Sequence, residues 1–260
     1  MQFGICGHPD QSAAMANAGC DYMETNVQGL LKPEAPEEEF LPELEKILSA
    51  KVPVKGANCF IPGHLRITGE EVPMDKLEAY AKVACNRAKQ AGIDTIVFGS
   101  GGARRIPDGF DRDKAWRQLI EFGKMCGPIA AENDVTIVVE PLRSKECNVL
   151  TSVGESAELV KAVDHPNFRL LIDAFHWMED NDSVDDLVAA GPLLAHAHIA
   201  TSPNRKPPTQ EECDFKPFFD ALKKGGYDGR ISIEAGWPEM ETEAPEVMKG
   251  LREIAAESGF

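Results

Sequence analysis

The sequence predicts an α/β fold, a single (β/α)8 TIM barrel domain that spans residues 1–260. Eight short apolar segments alternate with helical segments along the chain. The segments predicted as strands are apolar on both faces, which is typical of parallel strands covered by helices. Eight such repeats in 260 residues match the size of this barrel.

Each predicted strand is a short apolar run, and the eight runs are Gln2–Cys6, Tyr22–Thr25, Val54–Asn58, Thr95–Gly99, Thr136–Glu140, Arg169–Asp173, Leu194–Ile199 and Arg230–Glu234. Between them, apolar residues at helical spacing, with proline and glycine near the ends, predict helices. These helices are Asp10–Ala18, Glu38–Ala50, Pro73–Ala91, Asp111–Glu132, Ser156–Val163, Ser183–Ala189, Phe215–Lys224 and Ala244–Glu257.

A doubly wound open sheet is the alternative arrangement of these elements. Such sheets normally bind a nucleotide at a glycine-rich first turn, but the segment after the first strand, CGHPD, lacks the GxGxxG pattern. Long loops follow the second, third and fourth strands at residues 26–37, 60–73 and 99–111. In a barrel, all three loops lie on the C-terminal face, where active sites are built.

Composition excludes several classes of protein. The net charge of −16 argues against nucleic acid as a partner, because such binding depends on Lys and Arg. No apolar run reaches about 18 residues, so we expect no membrane span. The N-terminal segment MQFGICGHPD lacks the pattern of a secretory signal. The seven scattered cysteines include no CxxC pair, which favours a reducing cytoplasm over a disulfide framework.

Four residues at the ends of consecutive predicted strands form the strongest functional pattern: Glu140, Asp173, His198 and Glu234. They lie 33, 25 and 36 residues apart, about one βα unit each. A helix cap or a salt bridge readily explains one such residue, but not four in succession. Buried carboxylates that converge repel one another, and a divalent cation relieves that conflict. Oxygen ligands with one imidazole favour Mn²⁺, with Mg²⁺, Co²⁺ or Fe²⁺ also compatible and Zn²⁺ less so.

The segments VVEPL, LLIDAFH, HAHIA and ISIEAGW resemble the sugar isomerase/epimerase superfamily with a xylose-isomerase-like TIM barrel, which includes the endonuclease IV branch. The resemblance is clearest over residues 130–237, where these segments stand at the metal-ligand positions of ketose 3-epimerases. It is weaker over residues 1–130, where DYMETNV and ANCFIPG are similar to the second and third strands. The family pattern HxH implies that His198 is the ligand and His196 a hydrogen-bonded core residue.

The resemblance implies an enzyme that moves a proton next to a carbonyl through a metal-stabilised enediolate. Glu140 and Glu234 are then both metal ligands and the acid/base pair. Glu146, His176 and Arg205 are implied substrate contacts, although Arg205 stands one residue further from His198 than in the epimerases. The substrate is a keto-sugar or a sugar phosphate, and the resemblance also implies a homo-oligomer, either a dimer or a tetramer.

Three further candidates come from positions at the predicted barrel mouth. Trp237 could stack on a sugar face or pack as a core residue. In GSGGARR (residues 99–105), backbone N–H groups with Arg104 or Arg105 could bind an anion, although a flexible turn is the plainer interpretation. His8 could touch the substrate or cap the first helix.

Other functions remain open at this level. A lyase or hydratase acting on 3-keto-glycosides would share the same first proton abstraction. An endonuclease IV-like hydrolase fits poorly, because that branch binds three zinc ions through many histidines. This chain has six histidines, and one of them, His165, is predicted at the end of the barrel opposite the metal ligands. A non-catalytic binding scaffold is the last alternative, and four intact ligands argue against it.

Overall fold

The eight strands form a closed parallel barrel in the computed structural model, which describes residues 1–209 and 213–260. The strands are β1 Gln2–Cys6, β2 Tyr22–Asn26, β3 Val54–Asn58, β4 Thr95–Phe98, β5 Thr136–Val139, β6 Phe168–Asp173, β7 Leu194–Ile199 and β8 Arg230–Ile233. Each pairs with its neighbours in sequence, and β8 pairs with β1 to close the ring. The predicted barrel is therefore confirmed, and the open sheet is excluded.

The helices lie between the strands. They are α1 Ser12–Asn17, α2 Glu37–Ser49, α3 Met74–Gln90, α4 Gly101–Arg104, α5 Arg112–Glu132, α6 Val153–Val163, α7 Ala174–Glu179, α8 Val184–Ala190, α9 Lys216–Lys224 and α10 Met240–Glu257. All eight predicted helices are present with shifted ends, and α10 begins four residues earlier than expected. Over the described residues, none of these helices is both long and apolar enough to cross a membrane.

Two short helices, α4 and α7, were not predicted. Helix α7 follows β6 directly, and the side chain of Asp173 accepts a hydrogen bond from the backbone N–H of Phe175, so Asp173 is its N-cap. With six residues, α7 is too short to show a helical repeat of apolar positions. Both helices matter for function, because each begins at the C-terminal end of a strand.

The barrel encloses a small apolar cluster of its own, separate from the main core. Val97, Val138 and Leu171 form this cluster, and the main core lies chiefly between strands and helices. The ring of Tyr22 also packs inside the barrel, against Gly4, where a Cβ would lie 2.6 Å from the ring. The lower interior is thus filled, and the functional groups lie above it.

Gly250, inside α10, is a site where stability can be gained. A Cβ at this position would have no atom of the described chain within 4 Å. Because glycine costs a helix about 0.5–1 kcal/mol relative to alanine, Gly250→Ala is expected to raise the free energy of unfolding by that amount. Urea denaturation measures the change. Gly92→Ala is the control. Gly92 has φ of 72°, so an added side chain there should lower the free energy of unfolding instead. A lower free energy of unfolding for Gly250→Ala would contradict the prediction.

Candidate metal centre

The four strand-end residues meet at the C-terminal mouth of the barrel. Asp173 and His198 belong to β6 and β7, and Glu140 and Glu234 directly follow β5 and β8. One ligand atom from each of the four lies within 4.8 Å of the other three. Three carboxylate oxygens and one imidazole nitrogen therefore surround a single point, a donor set that suits a hard or borderline divalent cation.

The cationic groups of the protein itself lie among these carboxylates. His198 Nδ1 is 3.2 Å from Glu140 Oε1 and 3.1 Å from Glu234 Oε2. The guanidinium of Arg205 donates to Asp173 Oδ2 at 3.0 Å and also to Glu234 Oε2. His198 is fully buried, and Asp173 and Glu140 nearly so. The site therefore holds three carboxylates close together and largely away from water, with the imidazole of His198 and the guanidinium of Arg205 between them.

Burial and neighbouring charges act in opposite directions on these groups. Burial raises the pKa of Glu140 above its usual range. Burial acts on Glu234 in the same way, but the positive charges of His198 and Arg205 outweigh it and lower its pKa to about 2. For His198, burial would lower the pKa, but Glu24 and Glu234 raise it well above its usual value. Such opposed shifts are typical of functional sites, and the donor set fits a divalent cation.

A glycine makes room for one of the carboxylates. Gly99 follows β4, and a Cβ there would lie 2.3 Å from Glu140 Oε2, far closer than real contacts allow. The position of the Glu140 carboxylate therefore depends on the absence of a side chain at residue 99. From the sequence, Gly99 was expected to have a different role, as part of an anion-binding loop.

Glu24, on β2, is a buried residue of the site that the sequence analysis did not select. Its Oε1 lies 3.0 Å from His198 Nε2, and its Oε2 lies 2.7 Å from His196 Nε2. Burial would raise the pKa of Glu24, but the charges of His198 and His196 lower it well below its usual value. The position of Glu24 in the middle of the strand YMETN could have identified it from the sequence, because a buried carboxylate requires partners.

Cys6, Glu24 and His198 form a second group whose potential ligand atoms lie within 4.8 Å of one another. This group shares His198 with the first, and Glu24 is already engaged by two imidazoles. Burial and the nearby charge of Glu24 raise the pKa of the Cys6 thiol well above its usual value. Since the thiolate is the metal-binding form, the group with three carboxylates is the stronger candidate.

Two of the predicted substrate contacts line the centre. His176, on α7, is buried, and its Nε2 lies 3.1 Å from the Arg205 guanidinium and 3.6 Å from Asp173 Oδ2. The guanidiniums of Arg205 and Arg143 each pack on the ring of Phe175, at 4.6 and 4.7 Å from its centre. Arg205 and His176 thus form one fixed cluster beside the carboxylates.

Three other predicted contacts, Glu146, Trp237 and His8, have surroundings of their own. Glu146 pairs with Arg143 at 2.7 Å on the loop after β5. The indole N–H of Trp237 is buried and has no hydrogen-bond partner within the described part of the chain. His8 Nδ1 accepts a hydrogen bond from the backbone N–H of Asp10, so His8 caps the 3-10 turn Pro9–Gln11, which is one of its two expected roles.

The expected anion-binding role of Arg104 is wrong. Arg104 is fully buried, and its guanidinium donates to the carbonyl oxygens of Phe98, Glu140 and Leu150 at 3.0, 2.7 and 3.3 Å. Helix α4 turns this side chain inward, where it satisfies carbonyl groups at the ends of β4 and β5. Arg104 therefore supports the backbone at Glu140 and does not face a ligand.

Comparisons with known proteins agree with the fold. A family model described as xylose isomerase-like TIM barrel matches residues 12–254. The chain is 28% identical over 125 residues to D-psicose 3-epimerase of Ruminiclostridium cellulolyticum, covering 48% of this chain and 42% of that protein. It is 25% identical over 181 residues to a putative hydroxypyruvate isomerase of Xenopus laevis, covering 66% of this chain and 65% of that protein. These matches therefore span less than two thirds of each relative.

Solved structures show the shared fold over nearly the whole chain. A D-psicose 3-epimerase from Clostridium cellulolyticum H10, determined with D-tagatose, superposes with a TM-score of 0.84. The superposition covers 98% of this chain and 99% of that one, at 18% sequence identity. At that identity the likeness establishes the barrel, and the chemistry has to be argued from the residues.

Proposed function

Because the chain belongs to the xylose isomerase-like TIM barrel family, we propose that it is a divalent-metal-dependent sugar epimerase or isomerase. The proposed reaction moves a proton on a carbon next to the substrate carbonyl. The observation that carries the proposal is the convergence of three carboxylates and one imidazole within 4.8 Å at the barrel mouth. Relatives named as D-psicose 3-epimerase support a sugar as the substrate class.

Four residues would hold the cation: Glu140, Asp173, His198 and Glu234. Mn²⁺ is the favoured ion for this donor set. When bound, the cation would polarise the substrate carbonyl and stabilise the negative charge that develops as the proton leaves.

Glu140 and Glu234 would move the proton. They follow β5 and β8, three strands apart around the barrel, yet both approach the same nitrogen of His198. One carboxylate would remove the proton from one face of the substrate carbon, and the other would return a proton from the opposite face. Proton transfer by positioned side chains contributes roughly 10²–10⁴-fold to the rate.

Arg205 and His176 would orient the substrate. Both present polar atoms beside Asp173, and the packing of Arg205 on the ring of Phe175 fixes its guanidinium. Glu146 and Trp237 would border the substrate further out. This arrangement places hydrogen-bonding groups where sugar hydroxyls would lie.

A neutral keto-sugar is favoured over a sugar phosphate. Arg104, the residue expected to hold a phosphate, is engaged by backbone carbonyls. Arg143 pairs with Glu146 and Glu179, and Arg205 pairs with Asp173 and Glu234. Arg143 and Arg205 would have to give up their carboxylate partners in order to bind a phosphate.

The proposed oligomeric state and cellular location rest on the family resemblance and on the cysteine pattern. The family resemblance favours a homodimer or homotetramer, which light scattering after size-exclusion chromatography measures. Seven scattered cysteines without paired spacing favour a reducing cytoplasmic environment.

Metal removal tests the proposal directly. Chelator-treated protein should lose activity on a panel of ketoses, sugar phosphates and keto-glycosides, and Mn²⁺ should restore it better than Mg²⁺, Co²⁺ or Zn²⁺. In deuterated water, the product should carry solvent deuterium at the inverted or isomerised position with an intact carbon skeleton. The control is protein dialysed in parallel without chelator. Release of an aglycone would identify a lyase instead, and a protein that binds no divalent ion contradicts the proposal.

A further inference from the structure

We propose that Glu24 is a positioning residue that fixes the imidazole of His198 with Nδ1 directed toward the metal position. This inference rests on the proposed metal-dependent function, because it concerns a ligand of that site. Glu24, His196, His198 and Ser232 are all buried, with at most 1% of each side chain exposed. The contacts within this group are thus shielded from bulk water.

The two ring nitrogens of His198 have different surroundings. Nε2 lies 3.0 Å from Glu24 Oε1, whereas Nδ1 lies 3.2 Å from Glu140 Oε1 and 3.1 Å from Glu234 Oε2. An ionised carboxylate can only accept hydrogen bonds, so Nε2 donates its proton to Glu24. This contact directs Nδ1 toward the carboxylates of the metal site, where a bound cation would take the place of the Nδ1 proton.

Glu24 is itself held by three donors. Its Oε2 accepts a hydrogen bond from the Ser232 hydroxyl at 2.7 Å and lies 2.7 Å from His196 Nε2. The Ser232 hydroxyl has a single proton, which it donates to Glu24. The Tyr22 hydroxyl, 2.8 Å from the Ser232 hydroxyl, therefore donates to Ser232. His196 Nδ1 has no partner among the described residues, which agrees with a proton on His196 Nε2.

The neighbouring strand β3 leaves space for the Glu24 side chain. Gly56 on β3 faces it, and a Cβ at residue 56 would lie 2.9 Å from Glu24 Cγ and 3.0 Å from Glu24 Oε2. The carboxylate therefore occupies a space defined on one side by the backbone of β3 and on the other by two imidazoles. Glu24 reaches His198 across the barrel only because residue 56 has no side chain.

Glu24→Gln tests this role, since it keeps the size of the side chain. The glutamine amide has one oxygen, so it can accept a hydrogen bond from only one of the two imidazoles. Its NH2 group would face the N–H of the other imidazole, so that ring must turn or change its protonated nitrogen. The affinity for Mn²⁺, measured by the EPR signal of free ion in a titration of the metal-free protein, is expected to fall about 10–100-fold. Glu241→Gln is the control, because it makes the same chemical change at an exposed position in the first turn of α10, outside this buried group, and its affinity should stay close to that of the wild type.

A second measurement reports the ring directly and requires no variant. In Zn²⁺-loaded, ¹⁵N-histidine-labelled wild-type protein, His198 is expected to show the Nε2–H tautomer with Nδ1 bound to the metal. A proton on Nδ1 with Nε2 bound would overturn the inference, and this spectrum decides the question if Glu24→Gln does not fold. Unchanged Mn²⁺ affinity in a folded Glu24→Gln variant would overturn the role of Glu24 alone. Wild-type protein that binds no divalent ion would overturn the proposed function and this role together.

Discussion

Glu234→Gln is expected to lower kcat by about 10²–10⁴-fold at saturating Mn²⁺, because an amide is unable to accept the proton that a carboxylate accepts. Glutamine keeps the volume of the side chain and one oxygen for the cation. The Asn58 amide, whose N–H lies 2.8 Å from Glu234 Oε1, can turn to present its own oxygen to the glutamine N–H. The fold and most of the metal affinity should therefore survive, and the loss should appear in the chemical step. Glu140→Gln should behave in the same way.

Isotope exchange separates the acid/base role from a loss of structure. If each carboxylate serves one face of the substrate carbon, each variant should still exchange the C–H proton of one epimer with deuterated solvent, without converting it to the other. The two variants should retain exchange for opposite epimers. Glu241→Gln, an exposed position in the first turn of α10, is the matched control and should keep wild-type rates. A fully active Glu234→Gln enzyme would contradict the proposed acid/base pair.

The barrel and the place of its site were predictable from the sequence because both depend on local pattern. Each strand is a short apolar run bounded by polar segments, and eight of them in succession leave few other folds. The four strand-end residues follow from the same pattern, since the ends of parallel strands meet at one mouth. The boundaries were less certain: Glu140 and Glu234 lie just past their strands, because β5 and β8 end at Val139 and Ile233.

What could not be predicted depends on contacts between residues that are distant in sequence. Glu24 meets His196 at a separation of 172 residues, and no local pattern records that pairing. Arg104 was expected to bind an anion or to belong to a flexible turn, because it stands in a glycine-rich segment. It is buried because three carbonyl groups, from Phe98, Glu140 and Leu150, converge on one point only in the folded chain.

Gly99→Ala is expected to lower kcat about 10²-fold, because a displacement of roughly 1 Å in a catalytic group costs about that much. The added Cβ would lie 2.3 Å from Glu140 Oε2, so the carboxylate must move away. The atom that must move is the end of a flexible side chain, so the fold should be retained. The affinity for Mn²⁺ should fall as well, since Glu140 is a proposed ligand. Steady-state kinetics and a Mn²⁺ titration measure the two effects.

Gly236→Ala is the matched control at the same mouth, since a Cβ there would meet no atom of the described residues within 4 Å. It should keep nearly wild-type kinetics. If Gly99→Ala acts through Glu140, the two changes should not be additive: in a Glu140→Gln background, adding Gly99→Ala should lower kcat much less than it does alone. Full additivity would mean that residue 99 affects the reaction by a route other than the Glu140 carboxylate. Non-additivity would mean that the glycine after β4 acts by placing one carboxylate oxygen of Glu140, the residue that follows β5.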